Sequence, residues 1–443
     1  MSHPKMKELR AAILTALLLF SLLLVLLVRF SWKNEIPDYP PLPYSVDVVV
    51  VGSGLAGELT AIAAAQQDTD VLYLNLQQTE QQIVPPYVPT FWFAARSPGL
   101  TAEAEPAYLP ETMALEIYTR GKEAGNYAQI LNFCLQSAAS LQWLESLTGL
   151  DLVNEAKTNQ VFHKLTARQL SELCQETAAR LPKLVRAEKD WLPLRLKQQG
   201  NRVKGLVVRT AEGQELDISA RAVVLADGGF ASNQELLLDY AGLKGTRPRL
   251  EGGHQGVGLQ LAQALGGITQ NMSQVWLQPV IVQDGARIEQ LIWQEALLFN
   301  AAGQVLTGDN LTKILLRANG TVFVVAGAGN AVAQQIKTQT IDDVNLLAAV
   351  LNSEPAAVAE QVKQLKAPYQ VAVLGLVALT PGGLTVSEDY AVMGQQGALE
   401  GLYAAGELTT GLHGRQAIPE LFLTEAVVSA KIAGEQAAQW AKR

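Results

Sequence analysis

The stretch VDVVVVGSGLAGELTAIAAAQ, Val46 to Gln66, constrains the fold more than any other part of the chain. A valine run reads as a strand buried on both faces. Gly52, Gly54 and Gly57 form G-x-G-x-x-G, and an alanine-rich apolar helix follows. DVLYLN, Asp70–Asn75, reads as a second strand. This strand–turn–helix–strand order is the one a dinucleotide pyrophosphate requires. Gly52 permits the tight turn, Gly54 lets backbone approach phosphate, and Gly57 lets the helix lie close on the strand. With Ser53 and Ala56, they aim the free N–H groups of a helix N-terminus at an anion. The second strand ends in Asn75 rather than an acidic residue, so a ribose hydroxyl there has an uncharged partner.

The remaining chain falls into recognisable blocks. A helical pattern runs from Tyr108 to Leu152, and another from Thr166 to about Ala179. From Asn201 the pattern predicts a hairpin turning at Ala211–Gly213, then a buried strand Ala222–Ala226 that stops at Gly228–Gly229. Residues from about Gln234 to Pro368 form a separate block with a glycine turn, a hairpin in LLFNAAGQVL, a strand in TVFVVAGAG and two short helices after Ile341. TPGGLTV and GLYAAGE then return to the first pattern. The expectation is an α/β chain: a Rossmann-like nucleotide domain over 46–233 and 369–443, interrupted by an inserted α+β capping domain over 234–368. Small-molecule sites favour the boundary between such domains.

Residues 1–34 read as a tail and a membrane segment, and 35–45 as a proline-rich linker. Ala11–Val28 carries no charge and is long enough to span a bilayer core of ~30 Å. Lys5, Lys7 and Arg10 precede it, against Arg29 and Lys33 after it. That bias predicts a single-pass transmembrane helix with a cytoplasmic N-terminus and the main domain outside the cytoplasm. No small-x-small cleavage site follows; a cleaved signal peptide is the alternative. The net charge is −8 and no basic stripe occurs, which argues against nucleic acid as a partner. The two cysteines, Cys134 and Cys174, read as buried thiols, with a disulfide between them as the alternative. No spacing of cysteine or histidine suggests haem, an iron–sulfur cluster or a metal ion.

VVVVGSGLAGELTAI, WLESLTGLDL, AVVLADGGFASNQE, HQGVGLQLAQALGG, TPGGLTV and GLYAAGELTTGLHG…LTEAVVSAKIAGEQAA occur in this order. In these segments the chain resembles the flavoprotein subunits of the fumarate reductase and succinate dehydrogenase family, and most of all the flavocytochrome-c-type fumarate reductases. The resemblance implies FAD as cofactor. It assigns Glu407, after Gly406, to the ribityl chain, and the backbone of Leu421, Phe422 and Leu423 to the flavin ring. Ala226, Gly228 and Gly229 then lie by the pyrophosphate and adenosine.

The pattern fails where the family's reductases hold a dicarboxylate and protonate it. Val305 stands at the place of the acid arginine. Val377, Ala378 and Leu379 cover the place of the clamp histidine, and Ala417 that of the clamp arginine. The family's TGDG becomes Gln255–Gly258, and its SGG-type loop becomes YVPTFWFAARSPG, with Phe91, Trp92 and Phe93. Alanine and valine neither transfer protons nor pair with carboxylates. His413 and Arg415 are the candidates for replacement chemistry; Arg247, Arg249 and His254 are weaker ones. The expected function is a membrane-anchored FAD-dependent oxidoreductase exchanging hydride with a small-molecule substrate that is not a dicarboxylate. A separate electron-transfer partner is an option, as the chain has no haem motif. The competing reading is a flavoprotein fold kept as a binding or scaffold protein without catalysis.

Overall fold

The computed structural model describes residues 45–52, 54–76, 90–94, 109–152, 160–162, 167–187, 191–244, 254–282, 295–318, 320–330, 333 and 339–443. The chain divides into Met1–Pro43, wholly outside these residues, and Tyr44–Arg443. The expected membrane helix, the linker and Ser53 therefore lie outside the described residues, as do Arg247 and Arg249. Among the described residues no helix is long and apolar enough to cross a membrane.

An eight-stranded sheet organises the larger part. Its strands are β1 (Ser45–Gly52), β2 (Val71–Asn75), β5 (Leu184–Arg186), β6 (Leu192–Gln199), β7 (Arg202–Arg209), β8 (Glu215–Ala226), β17 (Ala391–Gly394) and β18 (Gly397–Ala404). β5, β2, β1, β8 and β18 run parallel, in that order across the sheet. β6 and β7 form a hairpin, and β7 pairs antiparallel with β8. Val48–Val51 of β1 are fully buried, as expected of a parallel strand covered on both faces. One cover is the helix Gly54–Ala65, and on it packs the C-terminal helix Phe422–Ala441. Their approach is close: a Cβ on Gly434 would stand 2.6 Å from the carbonyl oxygen of Thr60.

A second, antiparallel sheet contains β10 (Trp276–Ile281), β11 (Leu297–Asn300), β12 (Val305–Leu306), β13 (Val322–Ala326), β14 (Gln339–Ile341) and β15 (Tyr369–Leu379). Two short ladders complete the strands: β3 (Thr90–Trp92) with β4 (Gln160–Phe162), and β9 (Thr269–Gln270) with β16 (Gly383–Leu384). The α/β architecture is the expected one, with three differences. β15 pairs with β10, β13 and β14, so the second sheet continues to Leu379, past the expected boundary at Pro368. β8 is one strand of 12 residues that starts exposed and ends buried; the second arm of the expected hairpin and the expected buried strand Ala222–Ala226 are continuous in it. The helical stretch from Tyr108 is two helices, Pro110–Arg120 and Tyr127–Thr148. The break carries another segment: Asn126 N–H donates to Gly411 O at 2.8 Å, and Arg415 N–H to Gly121 O at 3.0 Å.

Candidate cofactor site

The phosphate turn is built by three close contacts. A Cβ on Gly52 would lie 2.8 Å from Gly57 Cα and 3.1 Å from the Ala226 carbonyl oxygen, and one on Gly57 would lie 2.9 Å from the Tyr73 hydroxyl. Gly54 is different. It sits at φ +65°, and a Cβ there meets nothing within 4 Å. The first turn of a 12-residue helix thus faces open space at the C-terminal edge of parallel strands, which fits a pyrophosphate. Asn75 ends β2 beside Gly52, half-buried, and Leu76 N–H donates to Gly52 O at 2.8 Å.

A second group of residues converges at the end of β8. Gly228 and Gly229 are close-approach glycines, and what they approach are side chains: a Cβ on Gly228 would stand 2.5 Å from His254 Nδ1, and one on Gly229 would collide with Thr380 Oγ1. Glu407 reaches the same place. Its Oε1 accepts from Thr380 N–H at 3.1 Å and from Thr380 Oγ1 at 3.3 Å, while Oε2 lies 3.4 Å from His254 Nδ1. Gly406, at φ +69°, lets this turn pass Ala56: a Cβ would be 2.9 Å from Ala56 Cβ. Its N–H donates to Ser429 Oγ at 2.8 Å. Below the glycines, the carboxylate of Asp227 accepts from Gly258 N–H at 3.0 Å. Burial raises its pKa to about 6, against the lowering effect of those backbone N–H bonds.

His413 and Arg415, the candidates for replacement chemistry, do not join this group. His413 is buried. Ile418 N–H donates to its Nδ1 at 3.1 Å, so the ring proton sits on Nε2, which faces Glu425 Oε2 at 3.1 Å. Phe422 stacks on the ring at 4.5 Å. Both nitrogens thus brace the loop 413–418, and a reacting group would have to displace those partners. Arg415 is exposed, held through its backbone N–H on Gly121. The expected flavin-facing backbone at Leu421–Leu423 is also partly engaged. Leu421 N–H donates to Ile418 O, and Phe422 N–H to Pro419 O, inside the short helix Pro419–Leu421.

Where reductases of this type carry charge, the chain is apolar in three dimensions too. Ala417 and Leu379 share one buried cluster with Leu55, Phe91, Phe93, Phe422 and Leu423. Phe91 and Phe93 are therefore core aromatics. Val305 lies apart, in the second sheet opposite Phe299. Cys134 and Cys174 are free, buried thiols rather than a disulfide. Burial raises both, Cys174 to about 12, so neither is a nucleophile at neutral pH.

Glu58, directly after the third glycine, is a residue that the sequence motifs pass over. It is buried and pairs with Arg186 of β5 through both carboxylate oxygens, one contact at 2.9 Å. The guanidinium lies over the Tyr73 ring, 5.2 Å from its centroid. A carboxylate inside an apolar alanine helix was the available signal, because buried carboxylates need a partner.

Parallel strands ending in a glycine turn at a helix N-terminus, with the Gly406–Glu407 turn passing that helix at Ala56, define a dinucleotide-binding protein. Residues 47–419 match the family model described as FAD binding domain. The chain belongs to this family, and FAD is its cofactor. A "Fumarate reductase (cytochrome)" of Shewanella frigidimarina is 23% identical over 453 residues, covering 90% of this chain and 78% of the relative. The open conformation of a flavocytochrome c3 fumarate reductase superposes with a TM-score of 0.75 at 20% identity, over 92% of this chain and 80% of the other. A 3-ketosteroid-Δ4-(5α)-dehydrogenase of Rhodococcus jostii RHA1, in complex with 4-androstene-3,17-dione, superposes with a TM-score of 0.59 at 21% identity, over 92% and 99%.

Proposed function

We propose that this protein is a FAD-dependent oxidoreductase acting on an apolar small molecule rather than on fumarate. One observation carries the reading: Ala417 and Leu379, at or next to the places of the clamp groups, are packed together in an apolar cluster. Bound FAD supplies hydride exchange at its N5. Gly52, Gly54 and Gly57 would hold the phosphates, and Glu407, fixed by Thr380, would accept from the ribityl hydroxyls. The apolar cluster around Ala417 and Leu379 offers no cation to a carboxylate. One fold serves fumarate in one relative and a steroid dione in another neighbour, so the side chains decide the substrate class. An enone, such as a quinone or a lipid-derived ketone, matches such a surface.

Anaerobic oxidation of reduced methyl viologen tests this. With fumarate, turnover should be at least about a thousandfold slower than in a reductase that carries the clamp, since each electrostatic group is worth roughly 10²–10³. Robust fumarate turnover would falsify the reading. We also place the protein at a membrane through Ala11–Val28, with its main domain outside the cytoplasm. A chain starting at Ile36 should leave the membrane fraction; its retention, correctly folded, would point to another contact.

A second reading draws on Phe91 and Phe93, which pack with Leu55 of the phosphate helix and with Leu423. Such filling suits a flavoprotein fold that keeps its cofactor and has lost catalysis. A yellow protein that reduces neither fumarate nor any enone, quinone included, would favour it.

A further inference from the structure

We propose that His254 is a cofactor-binding residue of this chain, forming with Glu407 an imidazole–carboxylate pair that contacts the bound flavin nucleotide. The proposal rests on the cofactor reading of Gly228, Gly229 and Glu407, and extends it to a residue outside the shared nucleotide motifs. Three observations support it. First, His254 adopts φ +62°, a left-handed conformation that side chains other than glycine adopt at a cost. Second, the backbone is fixed there from both sides: His254 N–H donates to Asp227 O at 3.1 Å, and Ser232 N–H donates to His254 O at 2.9 Å. The turn after β8 therefore dictates this conformation. Third, the conformation delivers the imidazole to one place, against Gly228 and 3.4 Å from Glu407, with 14% of the side chain exposed. A backbone held against its preference, carrying a polar ring to Gly228 and Glu407, is the pattern of a ligand clamp.

The neighbouring residues narrow the role. His413 is engaged on both ring nitrogens and Arg415 is exposed. His254 is the described histidine that stands beside Glu407. Through Nδ1 it holds the Glu407 carboxylate toward the ribityl position. The ring would also give the anionic nucleotide a polar, hydrogen-bonding partner beside Gly228.

The test uses the full-length protein, stripped of flavin and titrated with FAD by fluorescence quenching, beside thermal melting of the flavin-free form. His254→Gly removes the ring while glycine adopts the positive φ freely, so the fold should persist. His254→Asn tolerates the same backbone and keeps a donor. The expected result is FAD affinity at least about tenfold weaker in H254G, the scale of one lost charge-assisted hydrogen bond. H254N should stay within about threefold of wild type, and all three flavin-free proteins should melt alike. Wild-type affinity in H254G overturns the proposal and leaves the cofactor reading intact. A loss shared equally by H254N, with a matching fall in the flavin-free melting temperature, assigns His254 to packing and also overturns it. A wild type that takes up no FAD overturns the cofactor reading, and this proposal with it.

Discussion

Replacing Arg186 with methionine leaves Glu58 as a carboxylate with 2% of its side chain exposed and its partner gone. Removing one member of a buried ion pair costs about 3–5 kcal/mol, mostly because the survivor cannot regain its hydration. Arg186 is 33% exposed, so water already screens part of the attraction. The expected loss is therefore at or below the lower limit of that range, about 2–3 kcal/mol. It includes the contact of the guanidinium with the Tyr73 ring, worth roughly 0.5–1 kcal/mol at a partly exposed site. The reverse change, Glu58→Gln, strands a cation that reaches water, and the amide oxygen still accepts from it. That variant should lose about 1 kcal/mol. The double variant Glu58→Leu with Arg186→Met removes both charges, and should be more stable than R186M alone. Urea unfolding of the three variants and wild type at neutral pH measures these differences. If R186M were no less stable than E58Q, or the double variant were the least stable of the set, the unequal burial of the two partners would not be what governs this pair.

Gly54→Leu should abolish FAD binding while the chain still folds. The new side chain enters space free of protein, at a left-handed φ that costs about 1–2 kcal/mol; the flavin absorbance per protein reports the result. Asp227→Asn should change the pH dependence of stability. The native carboxyl holds its proton up to about pH 6, above its ordinary 3.8. Its stabilising contribution is therefore full below about 3.8 and is lost as pH rises through about 6. Between pH 4 and 7 wild type should lose roughly 2 kcal/mol relative to D227N, as each tenfold change in proton affinity is worth about 1.4 kcal/mol; denaturant midpoints across that range test it. Ala417→Arg should not restore fumarate turnover. It places a guanidinium inside the apolar cluster and should destabilise by several kcal/mol, read by thermal melting and by the viologen assay.

The phosphate turn is legible in the chain alone, because it is local. Strand, three glycines and helix follow one another within about twenty residues; Gly52 and Gly57 answer close contacts with each other and with an adjoining strand, and Gly54 answers a left-handed φ. That Val305, Ala378 and Ala417 carry no charge is equally legible, since residue type suffices for that. The features that escape such a reading depend on residues far apart in the chain. Glu58 finds Arg186 across 128 positions, and no local pattern links them. The stretch read as one helix breaks at Gly121–Asn126, where Gly121 caps one helix and Asn126 the next; what the local sequence does not show is that the segment Gly411–Arg415 hydrogen-bonds to that break. His413 read as a candidate for replacement chemistry and is braced by Glu425 and Ile418, whereas His254 read as a weaker candidate and stands against Gly228 and Glu407. Hydrogen bonds and close packing act over about 3–4 Å in space, and it is the folding of distant segments onto one another that brings residues within that distance.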